Sequence, residues 1–140
     1  MVVALTRNML MPMVSDYMTR EPYSVLSTDS LQLARELMRR HGVRHLPVLD
    51  KDRLVGMIAD RDVEVVDAVP GVDLVFIEVA RVMEPAVYVW AETPLDEVSA
   101  LMADRKCDCV VVFGGHGVEG VFTATDALRA LANIASRASA

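Results

Sequence analysis

Residues 54–63, LVGMIADRDV, and residues 118–128, VEGVFTATDAL, are two copies of one pattern, and this pattern decides the fold. Each copy carries a glycine within an apolar run and an aspartate six residues later. The repeat extends upstream at a constant offset of 64 residues and without a gap. The matched pairs are Leu31 with Leu95, Leu37 with Leu101, Met38 with Met102, Val48 with Val112, Gly56 with Gly120, and Asp62 with Asp126. One supersecondary unit is therefore used twice, and two such units that pack together leave clefts related by a pseudo-two-fold axis.

Each copy has the predicted element order β-α-β-β-α, which places the chain in the mixed α/β (α+β) class. The predicted strands cover residues 23–26, 43–49 and 54–58 in the first copy, and residues 87–90, 107–113 and 118–122 in the second. Polar turns precede the first helix of each copy, with Asp29 and Thr93 as N-cap candidates and Pro94 at the first helical position. Gly42 is expected to end the first of these helices. The last helices are predicted at residues 60–68 and 125–137.

The repeats are assigned to residues 10–68 and 79–137, joined by a connector at residues 69–78. Pro70-Gly71 breaks the chain there, and the apolar residues that follow are expected to lead into a short helix ending near Met83. A counterpart around residues 14–18 precedes the first copy. Its register slips by one residue, so that Met18 corresponds to Met83.

Composition excludes several classes of protein. A formal net charge of −6 argues against a nucleic-acid partner, because phosphate binding requires a basic surface. We expect no signal peptide at the start of the chain and no membrane association, since no apolar run reaches the roughly 18 residues of a membrane span. Cys107 and Cys109 are too close on one predicted strand to form a disulfide, which predicts a reduced, cytoplasmic protein.

Three motifs occur in the same order in both halves. They are DYMTREPYSV, HGVRHLPVLD and LVGMIADRDV in the first half, and RVMEPAVYV, KCDCVVVFGG and VEGVFTATDAL in the second. This layout resembles the CBS domain, named after cystathionine β-synthase, arranged as a tandem pair (a Bateman module). The resemblance implies a regulatory module, not an enzyme, that binds AMP, ADP, ATP or S-adenosylmethionine in the cleft between the repeats and transmits a conformational signal to an unknown regulated protein.

The resemblance also implies which residues contact the ligand. The family's ribose and phosphate signature is a Ser or Thr followed three residues later by an Asp that opens a helix. Thr123 and Asp126 match it fully, whereas Ala59 and Asp62 keep only the aspartate. A carboxylate suits the paired hydroxyls of ribose, and a helix N-terminus suits a phosphate. The alternative is that both aspartates only complement helix dipoles.

The second implied element is the strand after the first helix, which reaches the ligand phosphate. Arg44 and His45 supply cationic donors there in the first copy, whereas Asp108 in the second copy would repel a phosphate. Family sites combine both copies, so Thr123, Asp126, Arg44 and His45 are expected to form one competent site. Asp62 is left in a degenerate site. Ser24 is a further candidate for a base or ribose contact.

Other interpretations remain open at this point. Cys107 and Cys109 invite a zinc site, but four ligands are not evident, and packing of small apolar thiols is the favoured interpretation. No cofactor and no nucleophile–base pair are indicated. The pockets of a degenerate pair could bind no nucleotide, which would leave a constitutive interaction module. A homodimer is expected in either case, with residues 74–82 and 127–134 as candidate contact surfaces.

Overall fold

The structure, a computed structural model, describes residues 11–139, which fold into two compact units. The first, here called the split unit, combines residues 11–21 with residues 87–139. The second, the continuous unit, is Pro22–Ala86. Residue 10, the predicted start of the first repeat, and most of the segment tested for a signal peptide lie outside the described residues.

The split unit contains a four-stranded sheet and two α-helices. Its elements are β1 (Thr19–Arg20), β5 (Tyr88–Trp90), α3 (Leu95–Arg105), β6 (Cys109–Gly114), β7 (Gly117–Thr123) and α4 (Ala124–Ser139), preceded by a 3₁₀ turn at Val14–Asp16. The strand order is β1-β7-β6-β5, in which β5 and β6 are parallel and the other pairs are antiparallel.

The continuous unit repeats this plan with one strand fewer. Its elements are β2 (Val25–Leu26), α1 (Leu31–His41), β3 (His45–Asp50), β4 (Arg53–Ala59) and α2 (Asp60–Asp67), followed by 3₁₀ turns at Leu74–Phe76 and Val79–Arg81. The strand order is β2-β3-β4, with β2 parallel to β3 and β3 antiparallel to β4. The predicted order β-α-β-β-α and the mixed α/β class are therefore confirmed.

Each unit has its own apolar core, because the helices bury one face against one side of the sheet. The split unit buries Val14, Met18, Val89, Ala91, Leu95, Val98, Met102, Val110, Val112, Phe122 and Ala130. The continuous unit buries Val25, Leu31, Ala34, Met38, Leu46, Val48, Ile58, Val63, Leu74 and Val79. Many of these residues are the repeat pairs of the sequence, so the repeat is mainly a repeat of core positions.

The segment before each repeat packs with the other repeat. The Val14 N–H donates to the carbonyl of Thr93 at 2.8 Å, and the Val79 N–H donates to the carbonyl of Asp29 at 2.8 Å. Both valines are fully buried. The compact units therefore divide the chain differently from the boundaries 10–68 and 79–137, which stay a prediction about sequence repeats. The physical reason is that a short apolar segment is buried where a core has room for it, independently of its order along the chain.

Helix starts differ from the sequence prediction by one residue. Ser30 is the N-cap of α1, and its hydroxyl accepts a hydrogen bond from Leu33 N–H at 3.1 Å. Pro94 is the N-cap of α3. The choice of Asp29 and Thr93 was wrong, because Asp29 accepts instead from Leu26 N–H at 2.8 Å and closes the preceding turn. Gly42 ends α1 as predicted, in the left-handed region at φ 63°.

Among residues 11–139, no helix has the length and apolar character that crossing a membrane requires.

Candidate functional site

Asp126 lies in the first turn of α4, where its carboxylate caps the helix. Its Oδ2 atom accepts hydrogen bonds from the Thr123 N–H at 3.0 Å and from the Thr123 hydroxyl at 3.1 Å. The Asp126 N–H donates in turn to Thr123 Oγ1 at 3.1 Å. Since these bonds satisfy free N–H groups at the helix start, Thr123 and Asp126 form a capping box. The structure thus brings together the two residues of the full signature.

The other carboxylate oxygen of Asp126 has longer contacts. The Thr19 hydroxyl lies 3.3 Å from both carboxylate oxygens, and Arg129 Nη1 lies 3.3 Å from Oδ1. Asp126 is only 4% exposed, whereas the Arg129 side chain is 70% exposed. Oδ1 can therefore exchange Thr19 and Arg129 for hydroxyl groups of a ligand while Oδ2 continues to cap α4.

Asp62 occupies the matched place in α2 of the continuous unit, but its surroundings differ. Its Oδ2 atom accepts from Ala59 N–H at 2.9 Å, and Ala59 has no hydroxyl to complete a capping box. Glu84 lies beside it. The negative charge of Asp62, burial and a hydrogen bond with Asp62 together raise the pKa of Glu84 above its ordinary value of 4.5, while Arg61 acts in the opposite direction. Two carboxyl groups therefore lie next to each other at the start of α2, and the charge of Asp62 disfavours the charged form of Glu84.

The start of the central strand lies beside the last helix in each unit. The carbonyl of Arg44 accepts a hydrogen bond from the Asp60 N–H at 2.9 Å, and the carbonyl of Asp108 accepts from the Ala124 N–H at 2.9 Å. His45 is half-buried and pairs with Ala59 across the β3–β4 hairpin. The residue whose carbonyl meets the start of the last helix is therefore Arg44 in the continuous unit and Asp108 in the split unit.

Arg44 and His45 belong to the continuous unit, whereas Thr123 and Asp126 belong to the split unit. Their combination in one site stays a prediction.

Aromatic side chains lie near the opening strands. The Tyr23 ring stacks on His41 with centroids 3.6 Å apart and planes 9° apart, next to the exposed Ser24. In the split unit, Tyr88 contacts Phe113 edge-on at 5.3 Å, and Trp90 lies 5.9 Å from the same ring. Tyr23 is thus already engaged by a partner within its own unit, and Ser24 stays a predicted contact.

Both cysteines are free thiols. Burial, followed by the nearby charge of Asp126, raises the pKa of Cys109 to about 12, and burial also raises the pKa of Cys107. Cys107 precedes β6 instead of lying on it, so strand alternation does not set the directions of the two thiols. Within residues 11–139, no group of three or more His, Cys, Asp or Glu side chains is arranged to hold a metal ion.

A surface cavity of about 600 Å³ lies in the split unit between α3 and α4. Apolar side chains of Met102, Leu128 and Leu131 line much of it, and Lys106 and Asp108 add charges. Leu128 and Leu131 are more than 60% exposed. The apolar side chains of α4 that line this cavity are therefore exposed on the split unit.

The sequence prediction missed three residues around the two aspartates: Thr19, Glu84 and Arg129. Arg129 was detectable, because a side chain three residues after Asp126 lies on the same helix face. Thr19 is separated from Asp126 by 107 residues, and no local pattern links them. The correspondence of Met18 with Met83 was the one available signal, since it makes Thr19 and Glu84 matched positions.

Comparisons with known proteins identify the repeated unit. The family described as CBS domain matches residues 14–64 and 79–133. Hypoxic response protein 1 of Mycobacterium tuberculosis is 30% identical over 105 residues, which cover 74% of this chain and 73% of that protein.

Two solved structures have the same fold over most of their length. The crystal structure described as an acetoin utilization protein (AcuB) from Vibrio cholerae has a TM-score of 0.79 at 27% identity, with 91% of this chain and 95% of that chain covered. The crystal structure of CBSX2 in complex with AMP has a TM-score of 0.75 at 26% identity, with 87% and 97% covered. The two copies found in the sequence are thus two copies of the matched family unit.

Proposed function

The chain belongs to the CBS domain family, and on that premise we propose that it is a regulatory module that binds an adenine nucleotide through Asp126. The observation that carries the proposal is that the two oxygens of this carboxylate are bonded differently. Oδ2 is fixed by the cap of α4, whereas Oδ1 has only 3.3 Å contacts from Thr19 and the exposed Arg129. A fixed carboxylate with a replaceable set of partners suits the two hydroxyls of ribose.

Arg129 favours a phosphate next to this ribose, whereas Asp108 at the start of α4 opposes it. Arg129 contacts Asp126 and is mostly exposed, so it can turn from the carboxylate to a phosphate oxygen when ribose hydroxyls take its place. The N-terminus of α4 contributes backbone donors and a partial positive charge. Binding of AMP by CBSX2, a protein with the same fold, supports the adenine class of ligand. AMP, ADP, ATP and S-adenosylmethionine all contain the ribose and base.

Arg44 and His45 are proposed as the cationic contribution of the other repeat to the same ligand. If this pairing holds, a bound nucleotide links the two repeats and favours one arrangement of the pair over others. The module then signals by population shift to a regulated protein, without catalysis. Arg44→Ala should in that case weaken ATP more than AMP, because the guanidinium contacts the additional phosphates.

A second candidate function is a constitutive interaction module. The observation in its favour is that the capping box already satisfies Oδ2 of Asp126, so the signature has a structural role without any ligand. The two candidates differ in one respect, since only the first predicts stabilisation by nucleotides.

Thermal unfolding with AMP, ADP, ATP and S-adenosylmethionine tests the proposal. A ligand that binds the native state raises the free energy of unfolding by about 2.7 kcal/mol at a concentration of 100 times Kd, and the unfolding midpoint rises with it. At least one of the four should raise the midpoint of the wild-type protein. Asp126→Asn should lose this rise relative to its own ligand-free midpoint, which corrects for any weakening of the cap. No rise with any of the four ligands would favour the constitutive module.

A further inference from the structure

We propose that the residue after Met18 in the split unit and after Met83 in the continuous unit, here called the linker residue, determines which signature aspartate accepts a nucleotide. Ribose can displace the linker residue Thr19 from Asp126, whereas the linker residue Glu84 blocks ribose at Asp62. The inference rests on the proposed function and specifies its selectivity.

The two residues hold the same place in their units. Thr19 pairs with Val121 on β7, and Glu84 forms a bridge to Met57 on β4. The bridge has two hydrogen bonds, from Met57 N–H to the Glu84 carbonyl at 2.8 Å and from Glu84 N–H to the Met57 carbonyl at 2.9 Å. Met57 and Val121 are themselves matched by the repeat offset. The chain therefore presents Thr19 and Glu84 to the two aspartates in equivalent positions.

Thr19 and Glu84 make contacts of opposite effect on the two aspartates. The Thr19 hydroxyl is neutral and contacts both oxygens of Asp126 at 3.3 Å, so a ribose hydroxyl can replace it with an equivalent group. As a carboxylate, Glu84 repels Asp62 and any phosphate nearby. As a carboxylic acid, it donates a hydrogen bond to Asp62 and occupies an acceptor that ribose would need. The raised pKa of Glu84 reflects this contact.

The missing hydroxyl at Ala59 does not account for the difference between the units by itself. Asp62 still accepts from the Ala59 N–H at 2.9 Å, comparable with the 3.0 Å bond from Thr123 to Asp126. Each carboxylate is thus positioned by the same backbone bond. The linker residue, Thr19 or Glu84, is what distinguishes the two carboxylates at the free oxygen.

The first arm of the test exchanges the linker residue in the split unit. Thr19→Glu and Thr19→Gln are nearly equal in size and differ in charge, so the comparison isolates the carboxylate. We expect AMP to bind Thr19→Glu at least about ten-fold more weakly than Thr19→Gln in calorimetric titration. Equal affinities would overturn the inference while leaving the proposed function intact. If the wild-type protein binds none of the nucleotides, the proposed function and this inference fail together.

The second arm removes the glutamate and needs no variant that adds a buried charge. Both variants of this arm carry Asp108→Asn, which removes the carboxylate expected to repel a phosphate at the second site. In that background Ala59→Thr/Glu84→Thr restores both the hydroxyl and the neutral linker residue, and Ala59→Thr alone is its control. The double variant should bind a second AMP per chain, whereas the control should bind one. A second AMP in the control, or one AMP in both, would overturn the inference. Circular dichroism of each variant shows whether the protein is folded. If Thr19→Glu does not fold, this second arm alone decides.

Discussion

Asp62 and Asp126 have the same place in the repeat and different neighbours. Asp126 is surrounded by donors, namely the backbone and hydroxyl of Thr123, the hydroxyl of Thr19 and the guanidinium of Arg129. Asp62 shares its surroundings with the carboxyl group of Glu84. Because donors stabilise a carboxylate and a second carboxyl group destabilises it, these neighbours support the proposal that Asp126 binds the ribose and Asp62 does not.

Removal of the Glu84 carboxyl group is predicted to stabilise the protein in a pH-dependent way. Its pKa is higher in the folded state than the ordinary value of 4.5, so the charged form disfavours folding. The penalty is absent below that value, develops as the pH rises through it, and is complete above the raised pKa. Glu84→Gln should therefore raise the thermal midpoint at about pH 7 and have little effect at about pH 4. In an Asp62→Asn background the gain should largely disappear, and an equal gain at both pH values would contradict the assignment.

The two thiols predict different reactivity in the folded protein. The pKa of Cys109 is raised to about 12 and its side chain is buried, whereas Cys107 is partly exposed. The thiolate is the reactive species, so iodoacetamide at about pH 8 should label Cys107 first and Cys109 only after denaturation. Mass spectrometry of the digested protein measures both sites. Equal labelling under native conditions would contradict the burial of Cys109.

At the scale of elements, the sequence predicted most of the plan and missed details that depend on non-local contacts. The apolar runs, the polar turns before the first helix of each copy and the stop at Gly42 are local signals, and they predicted the elements in the right order. The N-caps were displaced by one residue, because Asp29 and Ser30 are both capping residues and the turn that uses Asp29 was not foreseen. Thr19 was missed for a different reason, since its partner Asp126 is 107 residues away in sequence.

Close approach of β1 to β7 predicts that Gly120 does not tolerate a side chain. A Cβ atom built there would lie 2.6 Å from the Thr19 carbonyl oxygen and 2.8 Å from Met18 Sδ. Gly120→Ala should therefore lower the free energy of unfolding by about 1–3 kcal/mol, because backbone must move. Gly115 has no neighbour within 4 Å, so Gly115→Ala is the control and should be nearly neutral. Urea denaturation compares them, and equal stability of the two variants would contradict the packing.

At the scale of the whole molecule, the two compact units follow from the exchange of the segments that precede the repeats. Val14 is buried in the split unit and Val79 in the continuous unit, although each precedes the opposite repeat in the chain. Sequence analysis found the correspondence of these segments but assigned each to the repeat that follows it. Periodicity shows that a segment is apolar, and it does not show which of two similar cores buries the segment.

Exposed apolar residues on α4 support the predicted homodimer. Leu128 and Leu131 are 67% and 63% exposed, and Ile134 follows on the same helix at 37%. Leu131→Asp should shift the protein toward the monomer in sedimentation velocity, because burial of a carboxylate in an apolar interface is costly. Asp52→Lys, in the turn between β3 and β4, changes a charge away from α4 and should leave the sedimentation coefficient unchanged. An unchanged coefficient for Leu131→Asp would contradict this interface.

Calorimetric titration of AMP or ATP into the wild-type protein, Asp62→Asn and Asp126→Asn tests most directly which unit supplies the ribose-binding carboxylate. The account predicts one nucleotide per wild-type chain, the same stoichiometry in Asp62→Asn, and no measurable binding in Asp126→Asn. Two equivalent nucleotides per wild-type chain, or binding that is lost in Asp62→Asn and kept in Asp126→Asn, would contradict it.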